Sequence, residues 1–110
     1  MAYDEVLAGR IRDRVEGEPR LTEKKMFGGL AFLIGGNMAV AASGNGGMMV
    51  RVDPDQGDEL IQTTPAEAME MRGRVMTGWL RVPDEAVADE AVLEEWVTRG
   101  VSYASSLPPK

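Results

Sequence analysis

Apolar positions near the N-terminus recur at helical spacing. Tyr3, Val6, Leu7, Ile11 and Val15 share one face, and Asp4 and Glu5 occupy the first turn, where the helix dipole favours anions. The pattern predicts an amphipathic helix over residues 3 to 15, ended by Gly17 and Pro19. From Lys24 to Val52 the spacing changes. Leu30 to Ile34, Met38 to Ala42 and Met48 to Val52 are short apolar segments punctuated by Gly35-Gly36-Asn37 and by Gly44-Asn45-Gly46-Gly47, and Lys25 to Phe27 is expected to be a short strand leading in. Such a run predicts an antiparallel meander, because Gly and Asn tolerate the positive φ that hairpin turns demand. Side chains alternate along a strand, so Met48, Val50 and Val52 point one way while Met49 and Arg51 point the other.

Asp53-Pro54-Asp55 breaks the strand and starts a helix over residues 54 to 62, with Leu60 and Ile61 as its apolar contacts. Ala66 to Met71 and Trp79 to Val82 read as further strands, with turns at Gly73, Arg74 and Gly78. After Asp89 the helical period returns: Leu93, Trp96, Val97, Gly100, Val101 and Ala104 form one stripe, with Asp84 or Asp89 as N-cap and Pro108-Pro109 as the stop. Gly100 inside that stripe implies close approach of helix backbone to sheet. The fold class expected is α+β: one domain over residues 1–110, an antiparallel β-sheet meander of about five to six strands flanked by an N-terminal and a C-terminal helix.

Composition narrows the chemistry more than the fold. The chain has 110 residues, 44% hydrophobic and 27% charged, as expected for one globular domain, and no apolar run near the roughly 20 residues needed to span a bilayer. The N-terminus carries acids before any base and has no continuous apolar stretch, unlike a secretory signal, so a cytoplasmic location is expected and no membrane association. There is no His and no Cys, which removes disulfides, thiol nucleophiles, Cys or His zinc sites and any Ser-His pair. A net charge of -6 disfavours direct DNA binding. Yet the run from Lys24 to Val52 contains no acid at all, so a partner meeting the meander meets Lys24, Lys25 and Arg51 or its methionines.

The order of segments, and within it Lys25-Met26-Phe27-Gly28-Gly29, Met49-Val50-Arg51-Val52 and Gly73-Arg74-Val75-Met76-Thr77-Gly78-Trp79, resembles the N-terminal domain of the TfoX/Sxy family, bacterial proteins related to regulators of natural competence. The resemblance spans about residues 3 to 108. It implies a small domain with an antiparallel sheet packed against helices, and a regulatory, protein-binding role. The competence regulators also carry a C-terminal helical domain, and the resemblance here implies a stand-alone N-terminal domain.

Several residues invite chemistry. Lys25, Arg51 and Arg74 would bind a carboxylate, a phosphate or an acidic protein segment if the sheet gathers them on one face; otherwise each base pairs with a nearby acid, Arg51 with one from the Asp53 to Glu59 segment. Met26, Met38, Met48, Met49, Met69, Met71 and Met76 are either gap-fillers in a core or an adaptable binding face, and Met48 and Met49 cannot both point inward. Trp79 either stacks on a ligand or partner, or fills the core with Phe27, Phe32 and Trp96. The glycines sit between strands and read as hairpin turns rather than a phosphate loop. Arg10, Arg12 and Arg14 read as a solvated helix face, as do Asp84, Glu85, Asp89, Glu90, Glu94 and Glu95, which lack a calcium-loop pattern. Tyr103 reads as an ordinary helix residue.

The expected function is therefore a non-enzymatic protein-interaction or regulatory module, with no catalytic residues, no cofactor and no metal. Its site is expected around Lys25, Arg51, Arg74, Met49 and Trp79, its partner a protein, with a homodimer as one form that a solvent-facing Met and an open sheet edge support. The alternative is a module, or enzyme accessory, that binds an anionic metabolite or nucleotide.

Overall fold

The computed structural model describes residues 3–26, 28–44, 46–71 and 73–109. Helix α1, Glu5–Val15, starts where the Asp4 carboxylate accepts the Val6 and Leu7 amides, and it buries Leu7, Ala8, Ile11 and Val15. Four strands follow, β1 Leu21–Met26, β2 Gly29–Ile34, β3 Asn37–Ala42 and β4 Met48–Arg51, each antiparallel to the next. The β2–β3 turn uses Gly35 and Gly36 at φ 60 and 85, the left-handed region that glycine enters without a Cβ penalty. Asp53 caps helix α2, Pro54–Thr63. Then come β5 Glu67–Met71, β6 Arg74–Val82, the single-turn α3 Asp84–Val87 and the long α4 Glu90–Ser106.

The six strands form one open antiparallel sheet in the order β1-β2-β3-β4-β6-β5. The meander is as expected, and β6 completes the sheet by pairing with both β4 and β5. All the helices lie on one face. Leu7, Ile11 and Val15 of α1, Val87 of α3 and Leu93, Trp96 and Val97 of α4 share a single core with Phe32, Val40, Met48, Val50, Leu80 and Val82, while Leu60 and Ile61 of α2 pack against its margin. The result is a two-layer α+β domain. Helix α4 sits so close to β3 that a Cβ at Gly100 would fall 2.4 Å from the Ala39 carbonyl oxygen, which is why the stripe carries glycine there.

Some expectations need correction. The leading-in strand is not Lys25 to Phe27 but β1, which begins at Leu21; Phe27 lies outside the described residues, as does Arg72. Strand β6 begins at Arg74, well before Trp79, because the register shift between Ala68 and Glu70, opposite Val75 to Leu80, keeps Gly78 within the strand. Trp79 is absent from the core of Phe32 and Trp96, since alternation puts it on the other face of β6 from Leu80. Asp89 caps α4, whereas the Asp84 carboxylate accepts the Gly47 amide at 2.9 Å. Nor are the α1 arginines merely solvated: Arg10 and Arg14 both hold Glu90, and Arg12 holds Glu23.

Candidate interaction site on the helix-free sheet face

Strand alternation decides what the second sheet face carries. Through the register, Lys24 opposes Ala31, Ala31 opposes Ala41, Ala41 opposes Met49, Met49 opposes Arg81 and Arg81 opposes Glu67, so these residues make one row running across every strand. Beside it, Thr22 opposes Leu33 and Leu33 opposes Met38 across β1 to β3, and Arg51 opposes Trp79 across β4 and β6. Ala31, Met38, Ala41 and Met49 form a second apolar cluster, with Met26, Leu33, Met69 and Trp79 packed around it. Every member comes from a strand; among the described residues no helix contributes to it.

The alanines are buried, Ala31 at 0% and Ala41 at 1% exposure, and the partly exposed outer surface is made by Met26, Leu33, Met69 and Trp79. Methionine suits such a surface because its unbranched chain repacks at little cost. The bases beside it differ in freedom. Arg81 donates to the Gly46 carbonyl at 3.0 Å and lies 3.9 Å from Glu67. Arg51 ends β4, and its guanidinium carbon stands 5.3 Å from the Trp79 ring centroid and 5.7 Å from that of Tyr103 on α4. It therefore joins the sheet face to the helical layer by cation–π contact. No ion pair with an acid of the Asp53 to Glu59 segment forms among the described residues.

Of the residues singled out from sequence, Met49, Arg51 and Trp79 come together on this face. Lys25 and Arg74 do not join them. Lys25 opposes Leu30, in the row that continues through Ala42, Met48 and Val82 on the helix-covered side, and Arg74 opposes Met71 at the hairpin end of β6. The three bases thus occupy separate places. Sequence reasoning named Lys24 only as one base of the acid-free run; it missed the Ala31–Ala41 pair, whose signal was small residues at strand positions of one parity, and it missed Tyr103, which only the packing of α4 brings to Arg51.

Elsewhere the charges have structural roles. Glu90 accepts from Arg14 and from Arg10, and those hydrogen bonds hold its carboxyl below the ordinary glutamate range. Arg12 does the same to Glu23, and its own guanidinium is made harder to deprotonate. A cleft of about 360 Å³ between α2 and α4 is lined by Asp53, Gln56, Thr98, Ser102, Tyr103 and Ser106 among others. Among the described residues no group of three or more metal-ligating side chains converges, and no helix is long and apolar enough to cross a membrane.

The sequence matches the family model described as the TfoX N-terminal domain over residues 13–104. A comparison with curated proteins gives no match. The match covers most of the chain, and the chain belongs to the TfoX N-terminal domain family.

Proposed function

We propose that this TfoX N-terminal-domain protein is a non-enzymatic interaction module with a regulatory role, and that it works through the helix-free face of its sheet. The observation that carries the reading is the second apolar cluster, a Met- and Trp-edged surface built by strands alone while every helix packs on the opposite side. Aromatic and Met side chains with arginine beside them are the composition of protein-binding patches. Catalysis at this face is disfavoured by its chemistry: among the described residues it presents cations, thioethers, alkyl groups, the Trp79 indole and the Thr22 hydroxyl, and Glu67 lies near Arg81.

Affinity capture from the native cell tests the reading, using the wild-type chain and a folded Leu33→Arg chain, since Leu33 is part of the partly exposed outer surface. A protein retained by the first and lost from the second is expected. Equal capture by both chains, or turnover of a metabolite library that vanishes in a folded Arg51→Ala chain, overturns it.

A second reading rests on the cleft between α2 and α4, where hydroxyls of Thr98, Ser102, Tyr103 and Ser106 surround a space large enough for a small anion, with Arg51 beyond Tyr103. A ligand that binds the folded state raises its melting temperature. A thermal-shift screen with nucleotides, phosphates and carboxylates at about millimolar concentration measures this; a flat response removes the reading.

A further inference from the structure

We propose that Arg51 is a ready-made clamp for a carboxylate, and that the partner of this face is a protein segment carrying an Asp or Glu side chain beside an apolar one. The proposal rests on the interaction reading above and names the chemistry of the partner. Arg10, Arg14, Arg51, Arg81 and Arg99 are all partly buried, and every one but Arg51 has an oxygen partner: Arg10 and Arg14 hold Glu90, Arg81 donates to the Gly46 carbonyl, and Arg99 lies 3.9 Å from Glu95. Arg51 differs. Among the described residues no carboxylate or carbonyl oxygen takes a hydrogen bond from its guanidinium, which is held by the Trp79 and Tyr103 rings at 5.3 and 5.7 Å from their centroids.

Cation–π contact engages the flat faces of a guanidinium and leaves its in-plane N–H donors to be satisfied by water or by a ligand. A fork that two rings already position can take a carboxylate through two parallel hydrogen bonds while losing little further rotamer freedom. A carboxylate suits it better than a phosphate. One fork matches one charge and two oxygens, whereas a phosphate group at about −2 carries more charge than a single arginine offsets, with Asp53 two positions along the chain.

The surroundings extend the site beyond a free anion. Trp79 pairs with Arg51 across β4 and β6, and the partly exposed surface continues from it through Met69 and Leu33, so a segment whose carboxylate sits on Arg51 lays its neighbouring side chain on the indole. Charge points the same way. Exposed acids crowd the helical layer, with Asp13 and Glu16 at α1, Asp58 and Glu59 on α2, and Glu94 and Glu95 on α4, while Arg81 and Glu67 offset one another on the sheet face and leave it the charges of Lys24 and Arg51. An acidic segment is repelled by one layer and drawn to the other.

Selection of a phage-displayed library of random peptides on the full chain supplies the probe. The enriched peptides are expected to share an Asp or Glu next to a large apolar residue, and to bind a folded Arg51→Ala chain at least about tenfold more weakly than wild type. Arg51→Lys is expected to fall between the two, since Lys keeps the charge and loses the fork. Asn or Gln in place of the peptide's acid probes the same contact without touching the fold, and is expected to weaken binding by a similar factor. Phosphoserine in that place is expected to bind no more tightly than the carboxylate. No enriched peptide, enrichment without an acid, binding indifferent to Arg51→Ala, full binding by Arg51→Lys or tighter binding of the phosphoserine form overturns the proposal. Peptides lost from a folded Leu33→Arg chain but kept by Arg51→Ala would remove the clamp and leave the interaction reading in place.

Discussion

Met48 and Met49 are neighbours in the chain and end on opposite faces of the sheet, Met48 beneath the helices and Met49 among strand side chains alone. The two tryptophans divide in the same way: Trp96 is 1% exposed in the helix-covered core, whereas Trp79 stays partly exposed beside Arg51. One face has used its apolar surface to hold the helices. The other carries large flexible side chains over a floor of alanine, with cations at its margins. Where stability needs are met on one side, the chemistry on the other is free to serve recognition.

The comparison breaks first at the tryptophans. Trp96→Ala is expected to cost about 3–5 kcal/mol of folding stability, as removal of a fully enclosed aromatic does. Trp79→Ala is expected to cost less than half of that, because solvent already reaches its ring. Urea unfolding of both chains measures the difference, and equal losses would mean that both faces are core. Next come the adjacent methionines: both are buried, so Met48→Ala and Met49→Ala are each expected to lose about 2–5 kcal/mol, with Met49→Ala at the lower end because only strand side chains cover it. A Met49→Ala chain less stable than Met48→Ala would contradict the two-face picture.

Smaller still is the effect at the join between the layers. Arg51→Ala removes contacts with Trp79 and Tyr103 and is expected to cost about 1 kcal/mol, with a changed near-ultraviolet dichroism signal from the aromatic rings. An unchanged aromatic signal would show that the stacking is not maintained in solution. The smallest effect belongs to Glu90, which ties α4 to α1 through Arg10 and Arg14. Its carboxyl is held below the ordinary range in the folded chain, so its contribution is present above the ordinary glutamate range and is lost as pH falls through the lower folded value. Glu90→Gln is expected to flatten that acid-side fall in the urea midpoint. An identical acid limb in the variant would remove Glu90 as its source.

Much of this was legible in the chain, and for definite reasons. The helices of residues 5–15 and 90–106 announce themselves through a stripe of apolar residues and a capping Asp, both local signals. The meander is readable because positive φ at Gly35 and Gly36 is a demand a single residue type satisfies. Gly100 even reported the close approach of α4 to β3. Alternation separated Met48 from Met49 without any knowledge of partners.

What the local pattern could not contain was which strands become neighbours. Register is a non-local property: the row from Lys24 to Glu67 exists only because β6 pairs with β4 and carries β5 to the far edge. Thus Lys25 and Arg51, bases of one acid-free run, were separated to opposite faces, and Tyr103 was brought to Arg51 from more than fifty positions away in sequence. Periods of 3.6 and 2 fix which residues of one element share a side, and the sequence determined those. Only the assembled open sheet and the packing of four helices on one face of it decided which of those sides was covered by helices and which was left to strand side chains alone.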